Sequence, residues 1–207
     1  MKIGSHNSLS YRHAKHWYMR PFEWCSRCQE IGYKEQYLWN MVRMFDVRIW
    51  FDKYGNPTIR HGLLTFDITD DELFDFFKWL DDKGDCYVRI ILEETHVSKN
   101  KKNVWEIEWL FQRFCRTLKT LFKHIYFYGG NRKWDWKVLY DFGNDDLPLI
   151  HKYSSTATLF KYPNKPLAII DDIYPKYYAK RFNHKNFCEY FVGDESKWLF
   201  FDFVNIR

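Results

Sequence analysis

The fold is constrained most by the way charged and apolar residues alternate along two short segments. In 44–50, Phe45, Val47 and Ile49 form one apolar set, whereas Asp46 and Arg48 share the opposite set with Met44 and Trp50. In 86–93, Val88, Ile90 and Leu92 separate in the same way from Arg89 and Glu93. Successive side chains of a strand point to opposite faces. Each segment, read as a strand, therefore needs one face covered by apolar neighbours and a second on which charges satisfy one another. Helices outside a curved sheet meet the first need, and the interior of a barrel meets the second. The same phase selects Glu93 over Glu94 for the charged face.

The rest of the chain alternates strand and helix patterns, which argues for a parallel α/β architecture. Strands are expected at 2–6, 44–50, 58–61, 86–93, 123–128, 136–140 and 198–204, with further candidates near 157–160 and 167–170. Thr69-Asp70-Asp71-Glu72 reads as a helix start, with Leu73, Phe76, Phe77 and Leu80 at helical spacing and Gly84 as the stop. A longer helix is expected from Val104 to Phe122, with Trp105, Leu110, Phe114, Leu118 and Leu121 as its inner face. There is no repeat and no linker-like tract, so 1–207 reads as a single domain. At 207 residues the chain is near the lower limit for eight strands, and the expected fold is a compact, incomplete or distorted TIM-type (β/α) barrel.

Composition adds bounds. A hydrophobic fraction of 46% supports a sizeable core, and no apolar run is long enough to span a bilayer, so the chain reads as soluble and globular. The net charge of +5 favours anionic partners without choosing among them. No signal-peptide pattern precedes His6, and the expectation is a cytoplasmic protein or a delivered or secreted form without a visible leader. The 5 cysteines are irregularly spaced and read as reduced thiols. His13-x-x-His16 with Cys25-x-x-Cys28 has ligand types that zinc accepts, and free buried thiols are the competing reading.

Polar residues at strand ends carry the chemistry. His6-Asn7, Asp46 and Arg48, His61-Gly62 and Glu93 each close an apolar segment. Two histidines can share proton transfers at a phosphodiester while an arginine neutralises the charge developing on phosphorus oxygens. A lone histidine would carry little weight; the ordered combination does.

Gly4-Ser5-His6-Asn7-Ser8, Val42-Arg43-Met44-Phe45-Asp46-Val47-Arg48 and Arg60-His61-Gly62 resemble, in that order, the catalytic X domain of the phosphatidylinositol-specific phospholipase C family, closer to its bacterial single-domain type. The approach from Gln29 to Gln36 and the closing segment Trp198 to Asn205 extend the likeness, which is thin between Glu93 and Trp198. The resemblance implies that His6 is the general base and His61 the general acid in attack by the inositol 2-hydroxyl on phosphorus. Diacylglycerol and inositol 1,2-cyclic phosphate would be the products. It further implies that Arg48 stabilises phosphoryl charge beside Asp46, and that Asp202 holds His6 in its useful tautomer.

Asn7, Glu93, Arg89, Arg132 and Lys133 are candidate substrate-binding residues, the last two within Tyr128-Gly129-Gly130-Asn131-Arg132-Lys133-Trp134, which equally reads as a strand turn. No cofactor is favoured, because the place of Arg48 is that of the arginine in metal-independent relatives. The alternative is Ca2+ held by Asn7, Asp46 and Glu93. The expected partner is an inositol phospholipid met transiently at a membrane surface, with no nucleic acid, and the chain is expected to be monomeric. His16 to Trp24 is an aromatic and basic segment suited either to that interface or to packing over the barrel mouth. Two other readings stay open: a metal-dependent barrel phosphodiesterase for another headgroup, and a lipid-binding barrel without turnover.

Overall fold

The computed structural model describes residues 2–93, 104–131, 174–191 and 198–206. Seven strands form one sheet: β1 (Lys2–Ser5), β2 (Val42–Phe51), β3 (Pro57–His61), β4 (Leu64–Thr65), β5 (Tyr87–Leu92), β6 (Tyr126–Asn131) and β7 (Trp198–Phe201). The helices are a 3-10 helix (Trp17–Cys25), α1 (Tyr33–Asn40), α2 (Asp70–Lys83), α3 (Val104–Leu121) and α4 (Pro175–Phe191).

β2 organises the sheet. Its amino half runs parallel to β1, with Phe45 opposite Ser5, and its carboxyl half pairs antiparallel with β3, with Ile49 opposite Ile59. Its other edge is parallel to β5 from Met44 opposite Tyr87 to Ile49 opposite Leu92, and β5 passes the parallel arrangement on to β6. The last strand, β7, lies parallel to the first, with Gly4 opposite Phe200. A Cβ on Gly4 would meet the Phe200 ring at 2.7 Å, so the close approach of β7 to β1 requires glycine there. The molecule is thus α/β, and its described strands form an open sheet with β6 and β7 unpaired to each other.

The expected strand phase holds where it matters. Phe45, Val47, Ile49, Val88, Ile90 and Leu92 join Leu73, Phe76, Phe77 and Leu80 of α2 in one buried cluster. The Thr69 hydroxyl accepts from the Glu72 N–H at 3.2 Å, and the Glu72 carboxylate accepts from the Thr69 N–H at 3.1 Å, a capping box that fixes the start of α2. Gly84, at φ 73°, ends it.

The inner face of α3 needs correction. Leu118 is buried and Leu110 and Phe114 are half-buried, but Leu121 is 55% exposed, while Phe111 and Cys115 are buried. The stripe is 111, 115, 118 and 122, rotated from the expected one because the aromatic at 111 and the small thiol at 115 fit against β2 and β5. The side chain of Trp105 and the strands expected at 136–140, 157–160 and 167–170 lie outside the described residues. Helices α1 and α4 and strand β4 were not anticipated. Among the described residues no helix is long and apolar enough to cross a membrane.

Candidate active site

The carboxyl ends of β1, β3, β5 and β7 and the middle of β2 bring together His6, Asn7, Asp46, Arg48, His61, Glu93 and Asp202. Chain direction explains the convergence: β1, β5 and β7 run parallel to β2, so residues just past their ends share one rim of the sheet. β3 runs opposite to β2, so its own last residue, His61, returns to the level of Asp46 and Arg48.

Two networks meet at His6, which is 2% exposed. Its Nδ1 lies 2.6 Å from Asp202 Oδ1, and Nε2 lies 2.6 Å from NH2 of Arg48. A guanidinium only donates, so Nε2 accepts and the proton sits on Nδ1, pointing at Asp202. The strand-end geometry behind this is tightly specified. The His6 N–H donates to the Phe201 carbonyl at 3.0 Å, and the Gln29 amide donates to both the His6 and Phe201 carbonyls at 2.9 Å, tying β1 to β7. The carbonyl of Asp202 in turn accepts from Asn183 of α4 at 2.8 Å.

Asp46 is the hub of charge. One oxygen accepts from Arg89 at 2.7 Å, and the other accepts from Arg48 Nε at 3.1 Å and from the Asn7 N–H at 3.0 Å. Burial would raise the Asp46 carboxyl, but Arg48, Arg89 and His6 outweigh it and hold it well below the usual carboxylate range. Arg48 NH1 reaches Glu93 at 3.3 Å, and the other Glu93 oxygen accepts from the Gly62 N–H at 2.9 Å. Gly62 sits at φ 58°, which orients that N–H toward Glu93. Asn7 is also left-handed, at φ 44°, and its buried amide group has no hydrogen-bond partner among the described residues.

His61 stands 5.6 Å from His6, centroid to centroid, with the rings nearly perpendicular at 86°. Its Nδ1 donates to the Ser26 carbonyl at 2.8 Å. Burial, Arg48 and His6 push the ring down to about 4, with Glu93 and the Ser26 carbonyl working the other way. Cys28 was not anticipated here: its thiol lies 3.7 Å from His61 Nδ1, and burial beside Asp202 raises it well above an ordinary thiol. The local signal was the Ser26-x-Cys28-Gln29 run, three consecutive contacts of the site within four residues.

The zinc set His13, His16, Cys25 and Cys28 does not assemble. His13 faces Glu23 at 3.1 Å and the Cys25 thiol points at the Phe22 carbonyl, whereas Cys28 turns inward to the histidines. Arg89 binds Asp46, and Arg132 and Lys133 lie outside the described residues. The aromatic segment forms the 3-10 helix, with Trp17 77% exposed and Tyr18, Phe22 and Trp24 also exposed.

No family model matches the sequence, and no curated protein matches it. Solved structures do. A single mutant and a double mutant of the phosphatidylinositol-specific phospholipase C from Staphylococcus aureus match with TM-scores of 0.58 and 0.57. The fold is similar to theirs. Each pairing covers 98% of this chain and 84% of that chain at 14% sequence identity, a likeness of fold. A further structure of that enzyme, from work on its membrane binding, matches 63% of this chain and 47% of its own at TM-score 0.42 and 16% identity, so this chain spans about half of that protein's length.

Proposed function

We propose that the protein is a phospholipase C-like phosphodiesterase that cleaves an inositol phospholipid by internal attack of the inositol 2-hydroxyl on phosphorus. The observation that carries this reading is the perpendicular His6–His61 pair, 5.6 Å apart, with the guanidinium of Arg48 on Nε2 of His6. The O–P bond to the 2-hydroxyl forms, the bond to the glycerol oxygen breaks, and the products are inositol 1,2-cyclic phosphate and diacylglycerol. Because nucleophile and phosphorus belong to one molecule, the step avoids the entropy cost of a second reactant.

His6 takes the hydroxyl proton on Nε2, and Asp202 stabilises the resulting imidazolium through Nδ1–H. Arg48 turns from Nε2 to a phosphoryl oxygen while Asp46 and Glu93 keep its other nitrogens in place. His61 delivers a proton to the leaving oxygen. Its depressed basicity leaves it neutral before substrate arrives. The phosphodiester anion raises it by offsetting the positive field of Arg48, so binding loads the acid that the reaction needs.

Arg48, in this reading, takes the place of a calcium ion. Support comes from the oxygen donors that such an ion would need: Asp46 and Glu93 are already committed to Arg48, Arg89 and the N–H groups of Asn7 and Gly62. The unpartnered Asn7 amide is suited to an inositol hydroxyl. The exposed aromatic face of the 3-10 helix supports transient docking on lipid headgroups by a monomer, peripheral at membrane surfaces, and the open sheet is read as an incomplete barrel.

Phosphorus NMR of the purified protein with phosphatidylinositol, phosphatidylcholine or sphingomyelin vesicles, each with calcium or with chelator, tests this. Cyclic inositol phosphate formed in chelator is the expected result. Turnover of another headgroup only, or turnover restored by calcium alone, would overturn the substrate or the cation assignment respectively.

A further inference from the structure

We propose that His6, Cys28 and His61 form a binding site for a soft divalent metal ion, zinc foremost, and that its occupancy switches the site off. The inhibitory half rests on the roles given to His6 and His61 above; the binding half does not. Each residue offers one ligand atom, and the three atoms lie within 4.8 Å of one another. Zinc bonds of about 2.0–2.1 Å to nitrogen and about 2.3 Å to sulfur put tetrahedral ligands roughly 3.3–3.8 Å apart. Cys28 Sγ and His61 Nδ1 are already separated by 3.7 Å; for Nδ1 to ligate, the ring proton it now donates to the Ser26 carbonyl moves to Nε2 and the thiol proton is released.

The surroundings suit such an ion. Asp202 receives the Nδ1–H of His6, the carboxylate–histidine pairing that presents Nε2 to a metal and strengthens it as a ligand. Cys28 is held from both sides of its peptide unit: its N–H donates to Ser10 Oγ at 2.9 Å and its carbonyl accepts from Phe203 at 2.6 Å. Asp46, Asp202 and Glu93 face Arg48, Arg89 and the partly buried Arg60, and a divalent ion whose charge is halved by one thiolate adds only a single positive charge to that balance. Arg48 must leave Nε2 of His6, but it keeps Asp46 and Glu93 as partners. Two imidazoles and a sulfur select zinc or cobalt and reject calcium and magnesium, which take oxygen. The thiol has no part in the proton transfers, so the metal accounts for a buried sulfur placed against both histidines.

Cobalt is a direct probe, because a thiolate bound to it gives a sulfur-to-metal charge-transfer band. The full chain should take up one equivalent of Co2+ with that band, and zinc should displace it. The band should vanish in Cys28→Ser and in Cys28→Ala and persist in Cys25→Ser. Asp202→Asn should weaken binding about 10–100-fold, the usual effect of removing a ligand's outer partner. Cys188, exposed on α4 with its thiol 3.7 Å from His184 Nε2, is the competing thiol, and Cys188→Ser should leave the band intact. In vesicle assays, zinc should suppress inositol phospholipid turnover at least tenfold, and Cys28→Ser, measured against its own metal-free rate, should need at least tenfold more zinc.

A band absent from the unmodified protein, or one that survives both Cys28 variants and disappears in Cys188→Ser, overturns the site. A Cys28-dependent band in a protein that turns over no lipid keeps the metal site and removes the catalytic reading instead.

Discussion

Two arginine–aspartate pairs join the same two chain segments, one at their amino ends and one mid-strand, and the contrast between them separates a scaffold from a site. At the amino ends, Arg43 Nε meets Asp85 Oδ2 at 2.9 Å, with Asp85 51% exposed. Further along, in the middle of both strands, Arg89 meets Asp46 Oδ1 at 2.7 Å with both side chains almost fully buried. The bond lengths are nearly equal, but the surroundings are not. Water screens the first pair and can replace either partner, whereas removal of Arg89 from the second leaves one buried oxygen of Asp46 without its cation and out of reach of water. On the proposed reading, the second kind is what a phosphoryl group would meet as fixed charge. Asp46, gripped by two guanidiniums and the Asn7 N–H, holds Arg48 in position before substrate arrives.

The largest effects should come from the reactive rim. His6→Ala and His61→Ala should each lower turnover by about 10²–10⁴-fold, the usual contribution of one proton transfer, with circular dichroism unchanged. A substrate with a good leaving group should rescue His61→Ala in part and His6→Ala not at all, because only the acid becomes dispensable. Equal rescue of both would contradict the separate roles.

Stability should show the next largest difference between the two pairs. Arg89→Met leaves one Asp46 oxygen without its closest cation and should cost about 3–5 kcal/mol in chemical denaturation, the usual penalty for breaking a buried pair. If Arg89→Met loses less than about 1 kcal/mol by the same measurement, burial is not what distinguishes the two pairs.

How much of this could be read beforehand follows the same division. Strand phase placed Asp46, Arg48 and Glu93 on one face because a charged residue in an apolar strand has few places to go. The spacing of Leu73, Phe76, Phe77 and Leu80, with Thr69 as cap and Gly84 as stop, defined α2 almost to the residue. Helix α4 escaped notice because Tyr178, Ala179, Asn183 and Phe187 are interleaved with lysine, arginine and histidine in no clean stripe; Pro175 at its first position was the only local mark. On α3, Leu121 looked equivalent to Phe111, and only the contour of the neighbouring strands decides between them. Cys28 illustrates the deeper limit. Its spacing from Cys25 suggested a pair, but backbone bonds to Ser10 and Phe203, residues distant in sequence, turn it toward the histidines.

A smaller effect concerns pH. His61 in the folded protein falls to about 4 from an ordinary 6.5. Between those values the unfolded chain binds a proton that the folded ring refuses, so stability rises with pH across the window and is lost as pH drops from about 6.5 to about 4. The loss should be on the order of 2–3 kcal/mol, read from urea midpoints, and His61→Asn should flatten the curve over that range. Arg48→Met should move the ring's NMR titration upward, since Arg48 is one of the groups holding it down. An unchanged titration would separate Arg48 from His61.

The smallest effect should come from the exposed pair. Arg43 has four favourable contacts: Asp85, the face of Tyr37 with its guanidinium 3.8 Å from the ring centroid, the Tyr37 carbonyl at 3.2 Å and the Val42 carbonyl at 3.0 Å. Counting contacts would make it as important as Arg89. Exposure argues otherwise, because the long side chain gives up rotamer freedom to hold a pair that water already solvates, and such pairs are worth about 0–1 kcal/mol. Arg43→Met keeps most of the apolar stem against Tyr37 and should cost less than about 1 kcal/mol, with the remaining difference shrinking further in molar salt. Turnover should be unaffected, since the Arg43 side chain is taken up by Asp85 and Tyr37 and touches none of the residues around His6 and His61. A loss matching that of Arg89→Met, insensitive to salt, would mean that the Arg43–Tyr37–Asp85 cluster clamps α1 to the sheet and that the amino ends of these strands are as demanding as their middles.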